Sequence, residues 1–216
     1  MSNKRFEMEK LARQFFRDNK KVIGLIADRG ADTGFEPAVR RLFGDNPTRG
    51  KSIRIGNRWF VYTGLKKNLV SFLPMRWHEE LDKGRVTWPG CQNWWAGYPL
   101  IAWVEVRASD DGSNGHLKLN AEVGPISHHR ARKGIIEVIA AAADAKALER
   151  VHFPVGAADE GRLYSRFLRG NSTPVNDIRD TDEIEGKFVR LVADFETEFE
   201  LIATLIPQFV RFDDTM

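Results

Sequence analysis

Apolar residues change their spacing several times along this chain, and each change marks an element. Phe6, Leu11, Phe15 and Phe16 stand among charges over residues 6–19, the pattern of an amphipathic helix. Residues 22–27 form a short apolar run that suits either a strand or a helix start. Phe35, Val39, Leu42 and Phe43 return at helical intervals, and Gly44-Asp45-Asn46-Pro47 ends that helix. From Ser52 the period falls to two. Ile53 and Ile55 alternate with Ser52 and Arg54, Gly56-Asn57 supplies a two-residue turn, and residues 58–62 run back, which predicts a β-hairpin. Residues 69–73 predict a further strand, stopped at Pro74.

The clearest alternation comes next. Leu100, Ala102, Val104 and Val106 share one face of a strand, and Leu117, Leu119, Ala121 and Val123 share one face of the next. The opposite faces carry Trp103, Glu105 and Arg107, and Lys118, Asn120 and Glu122, as in an antiparallel sheet with one face covered. Gly124-Pro125 breaks the second strand, Ser127 is the expected N-cap, and a helix runs to about Lys146 with Ile135, Ile139 and Ala142 as its apolar stripe. Residues 151–155 predict a short strand and residues 160–168 a helix. Ile184, Phe188, Leu191, Phe195, Phe199, Ile202 and Ile206 recur every three or four residues, a long amphipathic helix capped by Thr181 or Asp182 and ended by Pro207. The order predicts an α+β fold: an antiparallel meander with helices packed on one face and a long C-terminal amphipathic helix. We expect a single domain over 1–216, with a helical part at 1–47, the sheet and central helix at 48–156, and a helical part at 157–216.

Composition refines this picture. Hydrophobic residues make up 42% and charged residues 29% of the 216 residues, enough apolar side chain for a packed core. The single cysteine, Cys91, excludes an intrachain disulfide and a cysteine zinc site. No apolar stretch approaches a membrane span or a signal peptide, so a cytoplasmic protein without a membrane contact is expected. Net charge is only +3 but uneven: residues 40–67 hold eight basic residues and one acid, residues 177–200 nine acids and three bases. Either the two regions complement each other or the basic one meets an anionic partner such as DNA or RNA.

Candidate chemistry is sparse. There is no phosphate-binding Gly-x-x-x-x-Gly-Lys-Ser/Thr loop, dinucleotide-binding Gly-x-Gly-x-x-Gly turn or Gly-x-Ser-x-Gly elbow, and no cofactor or metal is expected. Nothing beside Cys91 makes it a nucleophile. His128 and His129 are adjacent rather than four apart, unlike a helical metal pair. Asp110–Gly115 reads as a hairpin turn rather than a calcium loop. Glu105-Val106-Arg107 has the position but not the lysine of a nuclease Glu-x-Lys. Two features remain. Trp88, Trp94, Trp95 and Tyr98 lie in a Gly- and Pro-rich loop that either folds onto the core or offers an aromatic patch to a ligand, a base or a protein. His128, His129, Arg130, Arg132 and Lys133 open a helix where the helix dipole favours acids, and with Arg54, Arg58, Lys66 and Lys67 they form the candidate anion-binding set.

Leu117-Lys118-Leu119-Asn120-Ala121-Glu122-Val123-Gly124-Pro125, followed by a helix opening with Arg130 and Arg132, resembles a segment downstream of the nuclease core in prokaryotic and phage proteins of the PD-(D/E)XK superfamily. Phe72–Trp77 and Trp103–Val106 are similar in kind, so the resemblance spans residues 71–145. The nuclease core that precedes such segments is not found, and no catalytic residue carries over. The resemblance implies an accessory module in restriction, phage defence or counter-defence. The expected function is non-catalytic binding of nucleic acid or of a nucleic-acid-associated protein. Alternatives are a protein-interaction or regulatory subunit, acting through the aromatic loop or the acidic last helix, and a divergent metal-dependent nuclease.

Overall fold

The structure, a computed structural model, describes residues 33–83 and 87–209; the helix expected at 6–19 and the apolar run at 22–27 lie outside them. The chain divides into two units, Met1–Thr33 and Gly34–Met216, and the second holds every element described below. In chain order these are α1 (Phe35–Phe43), β1 (Ser52–Ile55), β2 (Arg58–Lys66), β3 (Leu69–Pro74), α2 (Met75–Lys83), β4 (Leu100–Ala108), β5 (Gly115–Val123), α3 (His129–Ala145), β6 (Ser165–Arg166), β7 (Ser172–Val175), α4 (Thr181–Asp194) and α5 (Glu196–Phe209). The fold class is α+β, as the alternation predicts.

The strands form one antiparallel sheet in the order β1-β2-β3-β4-β5-β6, with β7 also pairing with β5. Register decides which side chains share a face. Phe72 pairs with Ala102 and with Tyr62, and Ala102 with Ala121, so these four lie on one side. The helices pack there. Phe43 of α1 meets Tyr62 at 5.8 Å and Phe72 at 6.1 Å between ring centroids, and Phe188 of α4 meets Phe43 edge-on at 5.9 Å. Phe35, Phe43, Phe60, Phe72 and Phe188 are all almost fully buried. Each such ring pair adds about 0.5–1.5 kcal/mol beyond the apolar area it hides. Trp77 of α2 docks on α5, donating its indole N–H to the Phe199 carbonyl at 2.8 Å and meeting the Phe199 ring edge-on.

Four local expectations change. The last amphipathic stretch is helical throughout but is two consecutive helices, interrupted at Phe195. Its cap is Asp180, whose carboxylate accepts from the Asp182 and Glu183 N–H groups, and α5 continues past Pro207 to Phe209. The helix expected at 160–168 is a run of turns entering β6. Buried Ser165 is drawn into the sheet beside Val123, leaving Leu163 and Tyr164 outside with no apolar stripe. The strand expected at 151–155 reduces to a bridge between Val151 and Leu168. Finally, α2 has no counterpart among the expected elements; it begins as soon as Pro74 ends β3.

The boundaries expected at residues 47 and 156 do not divide the Gly34–Met216 unit, because α1, the sheet and α3–α5 share one core. Charges pair around that core. Arg41 of α1 pairs with Asp182 at 2.5 Å and Glu185 at 3.5 Å, Arg58 pairs with Glu196, and Arg76 with Glu200. Arg150 grips the buried Glu198 carboxylate at 2.7 and 2.8 Å. Two cations of the basic early region, Arg41 and Arg58, are thus paired with the acidic last helices.

Candidate functional site

The other side of the sheet is built differently, beginning with one extra residue in β2. Tyr62 pairs with Phe72 and Gly64 with Ser71, so Thr63 is unpaired in the register, a β-bulge. Its hydroxyl bonds the Ser71 hydroxyl at 2.7 Å, which in turn donates to the Gly64 carbonyl at 3.1 Å. Before the bulge, even-numbered side chains face the helices. After it, Leu65 opposes Val70 on the helix side, and Gly64 and Lys66 turn to the far side. The bulge therefore delivers Lys66 to the face that carries Trp103, Glu105 and Asn120.

The Trp88–Pro99 loop lies on that face, held at two glycines where no side chain fits. A Cβ at Gly90 would stand 2.0 Å from the Pro125 carbonyl oxygen, and Gly90 already has φ +94°; a Cβ at Gly124 would enter the Trp94 ring at 2.2 Å. The Ser127 N–H donates to the Pro89 carbonyl at 2.7 Å. Ser127 is thus tied to the loop, and the N-cap of α3 is His128, without a side-chain capping bond. So anchored, the loop stacks Trp95 on Trp103, with centroids 6.4 Å apart and planes 18° from parallel. Lys66 Nζ sits 4.9 Å from the Trp95 ring centre, and the Arg166 guanidinium 4.8 Å from that of Trp103. Trp95 has φ +44°, a left-handed conformation that costs a bulky residue roughly 1–2 kcal/mol.

Between β2 and this loop opens a crevice of about 470 Å³. Arg49, Lys66 and Asn93 supply its exposed polar wall, and Trp94 and Trp95, both half-buried, supply aromatic surface. Neither Arg49 nor Lys66 has a carboxylate partner among the described residues. One anion-site candidate, Lys66, thereby joins two candidates of the aromatic loop, Trp94 and Trp95. The sequence pattern does not single out Arg49; its signal is its place in the basic stretch, one residue before the Gly50 turn.

The remaining candidates scatter. Arg54 and Arg58 diverge: Arg58 faces the helices and pairs with Glu196, whereas exposed Arg54 donates to the Gly56 carbonyl. Lys67 lies in the exposed β2–β3 turn. The start of α3 follows β5, three strands from β2, or about 14 Å at ~4.8 Å per strand. There His128, Arg130 and Lys133 are exposed and His129 is half-buried. Arg132 does not belong to an anion site. It is 2% exposed, and its guanidinium donates to the Gly124 and Ala157 carbonyls and to the Ser165 hydroxyl, so its donors serve the fold. Trp88 is buried rather than offered to a partner. Tyr98 donates to Asp82 at 3.1 Å; burial, reinforced by that carboxylate, pushes its phenol up to about 12.

Groups considered for catalysis are also placed. Cys91 is fully buried and burial pushes its thiol up to about 12, which removes the thiolate needed for attack. Glu105 accepts from Arg107 at 2.7 Å and from Asn120 at 3.1 Å. Glu122 lies against Arg166, and burial raises its carboxyl above the ordinary value. Among the described residues no group of three or more His, Cys, Asp or Glu is placed to hold a metal ion. No helix among them is long and apolar enough to cross a membrane. Compared with known proteins, the chain matches no family model, no curated protein and no solved structure.

Proposed function

We propose that this unit binds nucleic acid through the crevice between β2 and the tryptophan loop, as a binding module without chemistry of its own. The observation that carries the reading is the convergence of Arg49 and Lys66 with Trp94 and Trp95 on one cavity. Phosphates need cations that no carboxylate has already neutralised, and bases need aromatic surface. Around the helices, Arg41, Arg58, Arg76 and Arg150 are already paired with carboxylates. Such a module suits an accessory role in restriction, phage defence or counter-defence, the setting implied by the PD-(D/E)XK resemblance. A filter-binding titration against DNA and RNA at two salt concentrations tests it. Binding that weakens steeply with salt is expected; no binding at low salt overturns the reading.

A second reading, interaction with a protein, has its own observation. A smaller groove of about 220 Å³ runs beside Trp59, Met75 and Phe199, with Trp59 52% exposed. Co-purification from the native host tests this; a partnerless monomer argues against it.

A further inference from the structure

The crevice carries more detail than a general affinity for nucleic acid. Resting on the nucleic-acid reading of that crevice, we infer that its ligand is a single strand whose unstacked base takes the place of Lys66 on Trp95, so that the displaced Lys66 ammonium moves to the adjoining phosphate. Lys66 is exposed and has no carboxylate partner among the described residues; its ammonium lies over the Trp95 ring, at 4.9 Å. A cation over a half-buried ring that solvent still reaches is held weakly, and a stacked base is held more strongly, so the exchange favours the base. The displaced lysine then gains a charge partner, and Arg49 on the same wall offers a second cation to the strand.

Four further features fit this use. Trp95 is backed by Trp103, a parallel ring that keeps it from collapsing into the sheet. Its backbone is held left-handed at φ +44°, a conformation that packing alone would fill with glycine or asparagine. Asn93 adds an amide that can donate to and accept from a base edge. A cavity of about 470 Å³ is the size of a small-molecule site. It admits a nucleotide but not a duplex, whose bases already have both faces stacked.

The test uses the full chain, a labelled oligodeoxythymidylate of about a dozen nucleotides, and its blunt duplex with oligodeoxyadenylate. The single strand is expected to bind at least about tenfold tighter than the duplex and to quench tryptophan fluorescence. Trp95→Ala should weaken it about ten- to hundredfold. Lys66→Gln, on the surface and harmless to folding, should lower the slope of log affinity against log salt by about 0.7, with Lys66→Arg restoring it. If single strand and duplex bind equally, without quenching, the single-strand inference falls while the nucleic-acid reading stands. A salt slope unchanged in Lys66→Gln removes the exchange at Lys66. If neither form binds at low salt, both readings fall.

Discussion

On the helix-covered face of the sheet, Arg58 meets a carboxylate, and around the same helices so do Arg41, Arg76 and Arg150. On the loop-covered face, Lys66 instead lies over an indole ring with no carboxylate partner among the described residues, and Arg166 divides its guanidinium between the Trp103 ring and Glu122. The difference matters because a carboxylate cancels a cation's charge at a distance, whereas a ring quadrupole leaves it in place. The acidic last helices thus quiet one side of the molecule, and an overall charge of only +3 coexists with a cationic crevice on the other. Under the proposed function, stability belongs to the first face and recognition to the second, and substitutions can separate them.

The largest expected effect is on the helix side. Phe188→Ala empties a fully buried ring position against Phe43 and Phe72 and should cost about 3–5 kcal/mol, a fall in Tm of roughly 10 °C or more by thermal melting. Nucleic-acid affinity measured well below that Tm should be unchanged. Arg150→Ala strands the Glu198 carboxylate, 2% exposed, and also loses the cation over Phe195; about 3 kcal/mol is expected in urea denaturation. A smaller effect reverses the usual order of two residues. Trp95→Gly should be more stable than Trp95→Ala by about 1 kcal/mol, because alanine keeps the left-handed strain and glycine does not. Equal stability would mean that the loop relaxes once the ring is gone.

The smallest effect is in acid. Glu183 accepts from the Asn176 N–H and bonds Lys187, contacts that hold its carboxyl at about 2 against an ordinary 4.5. A folded value below the unfolded one means that the carboxylate stabilises the fold fully above about pH 4.5, and that this is lost as pH falls toward 2. Glu183→Gln should flatten the pH dependence of Tm in that window and leave binding at neutral pH untouched.

Period-two alternation makes β4 and β5 readable, and Gly56-Asn57 announces the first hairpin, because those signals are local. The stripe from Ile184 to Ile206 likewise announces α4 and α5, though not the break at Phe195. What stays hidden depends on distant partners. Arg132 reads as a surface charge until Ala157 and Ser165 come to it from 25 and 33 residues away. Residues 160–168 have helical spacing, but pairing with β5 takes Ser165–Arg166 as β6. At the site, Trp94 and Trp95 are legible as an aromatic loop and Lys66 as a cation in a basic stretch. Their union is not, because nothing in local composition marks one unpaired residue in a strand.

That residue, Thr63, acts on β2 as an inserted letter acts on a reading frame. Everything after it is shifted by one, so the meaning of Leu65 and Lys66 depends on how many residues precede them rather than on which. Drawing Thr63 into the ladder opposite Ser71 would keep both side chains and exchange their destinations, sending a leucine to the crevice and a lysine beneath the helices, whereas deleting it joins Tyr62 to Gly64 and leaves both where they are. Site and core are therefore locked to the same count. A chain in which this residue slipped into the ladder would forfeit both at once, while one that kept it set aside, or lost it altogether, would retain both.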